Sequence, residues 1–522
     1  MDAKSQVLAQ CGQLNALGLY ASAATLVSFM LSPDAQDPNV YTVYGEALFN
    51  MGEYKRAEAA LRTALDLLGG SPEAPEAVSL RWKISECFGR ENNYSMQLYA
   101  LTAVPVQART PQINIALGKL HQRFGSNSDA ISAYREALIA SPLAIEAVEP
   151  LAQLGEKEQD ILNLVSKKAG NQRWLLTLVA ARVQEAMNNH RAASASYSNL
   201  SEAFPDNSEL MCNLAVCQAH IGSLQASLQT FAQVRARDEH YMDQMDEYAE
   251  VLRKSGETSL LNKLTSSLLE SNLHRPEGWV AGSMYMELKD DRERALEYSE
   301  KALQLQPRHY MALLRCGQMH LDAAKYDLAL ISFRKALDVK RSVRAYEGAV
   351  RCYIGMGRIK EALSSAKESL QRMPGNPRAL TLVGIALSQL PEGLEKGKVA
   401  FEKARQLDPL CCETVIELTN VLVHNNKLSE AVEALETYLR HQDSDYIHSR
   451  LGDIYMKLEK LDKALGEYHR ALALNPSLES AKAGLESLER LEKTEDAADA
   501  DTDVGPDDTD HLDAFATPSF HD

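Results

Sequence analysis

Apolar residues in the stretch 445–478 recur three and four positions apart in two successive blocks, which predicts two amphipathic helices. A short polar turn separates the blocks, and Pro476 follows the second one, where a residue without an amide hydrogen ends a helix. Small residues stand where two packed helices must approach closely, so we expect Gly452 and Ala464 to face each other. Tyr468 supplies bulk beside that contact. The stretch therefore predicts a helical hairpin closed by a proline.

The same arrangement of small and bulky residues returns about fourteen times along the chain. From Trp174 onward, successive units begin 33 to 35 residues apart, which matches the tetratricopeptide pattern in spacing and in residue order. Each hairpin buries its apolar stripe on its neighbours, so we predict an all-α fold, a superhelical solenoid of about fourteen tetratricopeptide hairpins. The third unit is degenerate because Gln97 replaces a small residue, and the fifth, 145–172, loses its small positions.

Five regions follow from this pattern. They are N-terminal repeats at 1–77, degenerate and regular repeats at 78–173, a regular tetratricopeptide array at 174–478, a capping helix at 479–493 and an acidic tail at 494–522. The capping helix is expected because the last hairpin would otherwise expose its apolar face. The tail holds ten acidic residues and no lysine or arginine, a composition typical of disorder. Within it, Thr517 precedes a proline and is a candidate for proline-directed phosphorylation.

The charge balance narrows the choice of partners. The chain has 55 basic and 72 acidic residues, a net charge of −17, which argues against nucleic acid or an anionic membrane as a main partner. Its eight cysteines form no C-x-x-C pair, which favours a reduced, cytosolic or nuclear protein. The first residues lack the pattern of a signal peptide, and no apolar run is long enough to span a membrane.

Residues that would carry catalysis or bind a metal do not cluster in the sequence. The thirteen histidines are scattered, without an H-E-x-x-H motif or a Cys/His cluster at ligand spacing. Gly355-Met356-Gly357 resembles a phosphate-binding loop, but it falls at the turn between two predicted helices and no strand precedes it. We therefore predict no catalytic residue, no metal site and no cofactor, and a repeat-containing enzyme is the weakest hypothesis.

The first hairpin, residues 5–31, is unusually apolar for the end of a solenoid. A terminal repeat needs a polar outer face to stay soluble on its own. We therefore predict that this hairpin forms a homodimer interface, although half of its apolar residues could instead pack on the second unit. The candidate interface residues are Leu17, Leu19, Leu26, Phe29 and Met30.

A second candidate site lies in the predicted groove. Arg315, Arg344 and Arg351 occur on the first helices of consecutive units, the helices that line the concave face of such a solenoid. Together they could bind an acidic group or the terminal carboxylate of a partner peptide through charge-assisted hydrogen bonds. The simpler interpretation is ordinary solvated charge.

Several segments resemble one particular family, the subunit 7 family of the anaphase-promoting complex, or cyclosome. They are ARTPQINIALGKL at 108–120, SPLAIEA at 141–147, YEGAVRCY at 346–353 and HSRLGD at 448–453. The resemblance extends over nearly the whole chain, including the number of repeats, the two degenerate units, the final helix and the acidic tail.

This resemblance implies a non-catalytic scaffold subunit of a large ubiquitin ligase that drives mitotic exit, in the nucleus and cytoplasm. It also implies a homodimer joined through its N-terminal repeats and stacked on other repeat subunits of the complex. Related subunits can receive C-terminal Ile-Arg tails of coactivators in a groove, but no residue set in this sequence maps that pocket. The competing hypothesis is a free-standing adaptor that captures peptide termini in its concave groove.

Overall fold

The computed structural model describes residues 3–31, 37–169, 172–373, 375–391, 393–476, 478–488 and 490. Across these residues the chain forms 28 named α-helices and two short 3-10 segments, with no strand. The predicted all-α repeat fold is therefore confirmed, and the helices follow one another as fourteen pairs. The acidic tail, including Thr517, lies outside the described residues.

The helices of the first seven pairs are α1 (Ala3–Ala16), α2 (Tyr20–Ser28), α3 (Pro38–Asn50), α4 (Tyr54–Leu68), α5 (Pro75–Arg90), α6 (Tyr94–Thr102), α7 (Pro111–Arg123), α8 (Asn127–Ala140), α9 (Val148–Gln153), α10 (Glu158–Ala169), α11 (Arg173–Ala186), α12 (His190–Ala203), α13 (Ser208–Ile221) and α14 (Leu224–Arg237). Those of the last seven are α15 (Met245–Lys254), α16 (Thr258–Ser271), α17 (Pro276–Leu288), α18 (Arg292–Leu305), α19 (Tyr310–Asp322), α20 (Tyr326–Val339), α21 (Val343–Gly355), α22 (Ile359–Arg372), α23 (Pro377–Ser388), α24 (Leu394–Leu407), α25 (Cys412–His424), α26 (Leu428–Leu439), α27 (Asp445–Lys457) and α28 (Leu461–Leu474). The 3-10 segments Val106–Ala108 and Ile145–Ala147 precede α7 and α9.

Contacts between residues divide the chain into two compact units, 1–356 and 357–522. Unit 1 contains α1 to α21, and unit 2 contains α22 to α28 together with a further helix at 479–488. The boundary falls inside the region 174–478, which the sequence predicts as one regular array.

Local sequence explains where many helices begin and where pairs turn. The side chains of Asp37, Thr110 and Asn207 accept backbone N–H bonds at the starts of α3, α7 and α13, satisfying amides that lack a partner within the helix. Between paired helices the backbone often passes through the left-handed region, as at Gly52 with a φ of 84°. Glycine adopts that conformation without a steric penalty, so the chain can reverse within a few residues.

An aromatic ring makes the closest contact to the glycine within a hairpin. A β-carbon added at Gly452 would lie 2.7 Å from the ring of Tyr468, the residue that the sequence predicts to supply bulk there. The approach of Gly452 to Ala464 stays a prediction. The ring enters the space that the absent glycine side chain leaves free, while Ala464 is buried beside it. The same glycine–aromatic contact joins Gly118 to Tyr134, Gly317 to Phe333 and Gly384 to Phe401.

The two degenerate units remain helical pairs. In the third, a β-carbon at Gly89 would lie 2.9 Å from Nε2 of Gln97, so the amide that replaces a small residue packs against Gly89 of the preceding helix. In the fifth, α9 has only six residues and contains Pro150. Both units are held by their own apolar residues, such as Ile84 in the third and Val148 in the fifth.

Residues 479–488 pack on the last pair of helices. Ala481 and Leu488 are buried in the same apolar cluster as Tyr455 and Tyr468. A β-carbon at Gly484 would lie 2.4 Å from the Tyr468 ring, so this ring is held between glycines of two different helices. The helix therefore covers a face that α28 would otherwise expose.

Candidate functional site

The first hairpin carries an exposed apolar surface. Leu17 is 73% exposed and Phe29 is 83% exposed, and Leu19 and Leu26 are also exposed. We call these four residues the N-terminal apolar surface. Met30, the fifth predicted interface residue, is half-buried and packs with the buried cluster that contains Val27.

Local structure explains why these apolar side chains of the hairpin are not covered by other described residues of the chain. Gly18 turns the chain between α1 and α2 with a φ of 80°, which leaves Leu17 and Leu19 on either side of the turn. One face of α2 packs on α3 through Val27, whose neighbours include Val40. The outer face has no such partner within the described residues of the chain. Sequence reasoning missed Val7, which is also exposed and apolar.

Two of the three predicted groove arginines already pair with carboxylates of the chain itself. Arg315 is only 4% exposed and donates to Glu287. Arg344 donates to Glu247 at 3.4 Å and to Glu250 at 3.1 Å. The structure thus brings these arginines to acidic partners rather than leaving them open to a peptide.

Arg351 is separate from this group. It is 49% exposed at its side chain and pairs with Glu347 of its own helix at 2.7 Å. Binding of a partner carboxylate at the three arginines stays a prediction, and it would require Arg315 and Arg344 to exchange their present partners.

The acidic residues of the site were missed by the sequence reasoning, although a signal was present. Glu250 is the ninth residue of its unit, the same position that Arg351 holds in a later unit. Applying the repeat pattern to acidic as well as basic residues would have found it. Burial opposes ionisation of Glu250, but Arg344 and Arg253 more than offset burial and lower its pKa below the usual range. Arg253 donates two hydrogen bonds to Glu250, at 2.9 and 3.0 Å.

A buried histidine–aspartate pair lies beside this cluster. The amide of Ala312 donates to Nδ1 of His309, so the proton of the neutral ring is on Nε2, which lies 3.6 Å from Oδ2 of Asp246. Burial, with help from Glu247 and Glu277, raises the pKa of Asp246 to about 8, and burial lowers the pKa of His309. At neutral pH both groups are therefore uncharged, and the pair joins α15 to the start of α19.

Unit 2 contains a separate open cleft of about 590 Å³, lined by both charged and apolar side chains. His448 is buried at its wall, with Nδ1 2.6 Å from Glu467 and Nε2 3.8 Å from Asp443. The lining residues include no serine, threonine or cysteine that could act as a nucleophile. They are Glu436, Leu439, Arg440, Asp443, His448, Leu451, Glu467, Arg470, Ala473 and Leu474.

The described residues offer little for metal or thiol chemistry. Among them no group of three or more histidine, cysteine, aspartate or glutamate side chains could hold a metal ion. Seven of the eight cysteines are buried, and burial raises the pKa of Cys87 and of Cys212 to about 12, which keeps both thiols protonated. Among the helices described, none combines the length and apolar character that crossing a bilayer requires.

Comparison with family models finds tetratricopeptide repeats in four segments of this chain. The matched residues are 38–67, 178–241, 289–350 and 446–478. These segments lie in both units, which agrees with the helical pairs seen in the structure.

Comparison with individual proteins finds similarity along nearly the whole chain. Anaphase-promoting complex subunit 7 of Arabidopsis thaliana is 30% identical over 512 residues, covering 91% of this chain and 91% of that protein. The subunit of the same name from Homo sapiens is 24% identical, covering 94% and 93%. A crystal structure of the APC/C hetero-tetramer Cut9-Hcn1 matches with a TM-score of 0.56 at 17% identity, covering 92% of this chain and 95% of that one, and so shares its fold.

Proposed function

The chain belongs to the anaphase-promoting complex subunit 7 family, and from that premise we propose that it is a non-catalytic scaffold subunit of this ubiquitin ligase. The observation that carries the proposal is the extent of the similarity, which covers more than nine tenths of both chains. A succession of repeat pairs, with no additional domain inserted among them in the described residues, fits a protein that acts through its surfaces. Its role would be to support cell-cycle progression and mitotic exit in the nucleus and cytoplasm.

The partners in this proposal are other repeat subunits of the complex. Relatives named as complex subunits include subunit 3 of Schizosaccharomyces pombe and CDC16 of Saccharomyces cerevisiae, which are similar to part of this chain. Because these subunits are built from the same kind of helical repeat, the exposed helix faces and the ends of their arrays are similar. Coactivators would be further partners, although no pocket in the described residues is assigned to them.

The test is purification of the tagged native protein followed by size-exclusion chromatography and mass spectrometry. The expected result is elution in a megadalton assembly that contains other subunits of the ligase. Elution as a free protein with only small, transient partners would overturn the scaffold proposal and support the peptide-binding adaptor. The adaptor currently loses support because Arg315 and Arg344 pair within the chain.

We also propose that the N-terminal apolar surface joins two copies of the chain. An apolar surface at the outer end of a repeat array is unfavourable in water, and a second copy offers the same surface in a symmetric contact. The double variant Leu26→Glu, Phe29→Glu places charges there, so we expect it to sediment as a monomer when the native protein sediments as a dimer. The control is the double variant Leu328→Glu, Ile331→Glu. It places two charges on α20 at a leucine and an isoleucine that are each 50% exposed, and it should remain dimeric. A dimer in the N-terminal variant would refute this interface.

A further inference from the structure

The contacts of Arg344 connect helices that are far apart in the array. Its partners Glu247 and Glu250 lie on α15, 97 and 94 residues earlier in the chain, whereas Arg344 itself lies on α21. Helix α16 and the pairs α17–α18 and α19–α20 therefore lie between the two ends of this ion pair in the chain. In a repeat array each hairpin ordinarily contacts only its neighbours, so this contact is an exception.

The first helices of these pairs form the surface across which Arg344 reaches. Helix α15 contacts α17, α17 contacts α19, and α19 contacts α21. Packed helices lie roughly 8–10 Å apart, so α15 and α21 would be roughly 25–30 Å apart if the helices lay side by side in a flat layer. A direct ion pair between the outer two requires these four helices to curve tightly around a shared inner side.

The ion pair is largely shielded from water, so losing one partner costs more free energy than it would at an exposed pair. The side chain of Glu250 is 6% exposed, and those of Arg344 and Glu247 are about one fifth exposed. Charges that are removed from water must be paired, and removing one partner leaves the other at a high cost. Arg253, on the same helix as Glu250, donates to Glu250 and also lies 3.6 Å from Glu287 on α17. The carboxylate of Glu250 is therefore held in place by contacts within α15 and between α15 and α17.

Lys340 is a second basic residue near the start of α21 whose charge is influenced by carboxylates of earlier helices. It follows α20, four residues before Arg344. Burial would lower the pKa of Lys340, but the negative charges of Glu149 and Glu185 raise it above its ordinary value. Those carboxylates lie on α9 and α11, so the segment 340–344 faces acidic groups from two earlier parts of unit 1.

We propose that Arg344, with Glu247 and Glu250, forms an electrostatic latch that makes the helices from α15 to α21 open together instead of one hairpin at a time. Closure of the latch joins the two ends of this segment directly. Loss of α21 then removes the charge of Arg344 from Glu247 and Glu250 on α15, so a disturbance at one end reaches the other without passing through every intermediate hairpin.

The test is amide hydrogen exchange of the full chain for the variant Arg344→Met, which keeps an unbranched, flexible stem and removes the charged guanidinium group. We expect exchange to become at least tenfold faster in α15 as well as in α21. The control is Arg351→Met, since Arg351 lies on the same helix and pairs only with Glu347 among the described residues. That variant should leave exchange in α15 unchanged.

A merely local role for Arg344 predicts faster exchange in α21 and the adjoining hairpin alone, and that result would overturn the latch. If Arg344→Met does not fold, Glu247→Gln removes one of the two carboxylates and leaves the pair with Glu250. It should raise exchange in both α15 and α21 by about threefold, and an effect limited to α15 would again contradict the proposal.

Discussion

At the scale of single residues, the most specific packing feature is the absence of a side chain beside an aromatic ring. Tyr468 lies against Gly452 on α27 and against Gly484 on the following helix. The ring is almost fully buried, and its hydroxyl donates to Asp453 at 2.8 Å. One aromatic residue therefore joins three helices, and its position depends on two glycines.

Two glycines of this one hairpin should respond oppositely to the same substitution. Gly452→Ala places a methyl group 2.7 Å from the Tyr468 ring and should lower the free energy of unfolding by about 1–3 kcal/mol. Gly466→Ala is the matched control, because nothing lies within 4 Å of the added methyl group on α28. Alanine is the better helix former, so this variant should gain about 0.5–1 kcal/mol. Urea denaturation followed by circular dichroism measures both changes, and destabilisation by both substitutions would contradict this account.

Asp246 should make stability depend on pH. Its pKa in the folded chain is raised to about 8, far above that of an aspartate in the unfolded chain. The folded state then keeps a proton that the unfolded state loses, so the stability contribution of Asp246 is full in acid and falls as pH rises from about 4 to about 8.

The variant Asp246→Asn keeps the shape of this side chain but cannot ionise. Relative to the native chain, it should gain roughly 3–4 kcal/mol of stability between pH 5 and pH 8, measured by urea denaturation at both values. Asp206→Asn, at a side chain that is 97% exposed, should show no such pH-dependent gain. An equal difference at both pH values would mean that Asp246 is ionised throughout.

At the scale of elements, the sequence was enough to predict the helical pairs but not the residue contacts within and between them. The start predicted at residue 445 coincides with the first residue of α27, because the apolar period and the turn residues are local signals. That the ring of Tyr468 lies closest to Gly452 was not predicted, because spacing alone does not say which atoms fill the gap beside a glycine. The partners of Arg344 were missed because the repeat pattern was applied to basic residues only. That pattern places Glu250 at a groove position, but it does not say that an arginine more than ninety residues later pairs with it.

The helix at 479–488 should stabilise unit 2, while the tail beyond it should not. Truncation after residue 478 removes Ala481 and Leu488 from the apolar cluster and uncovers Tyr468, so we expect a loss of about 2–4 kcal/mol. Truncation after residue 493 is the control. It removes only the acidic tail and should leave the melting temperature unchanged. Equal melting temperatures for the two truncated chains would show that the helix contributes nothing, and a drop on removing 494–522 would show that the tail packs on the repeats.

At the scale of the whole molecule, the division into two units should be visible in unfolding. All three tryptophans, Trp82, Trp174 and Trp279, lie in unit 1, so tryptophan fluorescence reports on that unit alone. Circular dichroism reports on helices in both units. Because each unit has its own buried core, the two signals need not follow the same transition.

The variant Gly452→Ala gives this expectation a direct test. Its substitution lies in unit 2, so we expect the urea midpoint measured by circular dichroism to fall while the midpoint measured by tryptophan fluorescence stays the same. Gly317→Ala, which crowds Phe333 in unit 1, should lower the fluorescence midpoint. A fluorescence midpoint that follows Gly452→Ala would mean that the chain unfolds as a single cooperative whole.

The ion pair between α15 and α21 has a consequence for how such a chain can change over generations. Repeat proteins commonly lengthen or shorten by gene duplication or deletion of one complete hairpin, because a new hairpin finds equivalent neighbours on both sides. Between Glu247 and Arg344 this freedom is lost, since one hairpin more or fewer would carry the arginine away from its carboxylates. The ion pair therefore fixes the number of hairpins between α15 and α21.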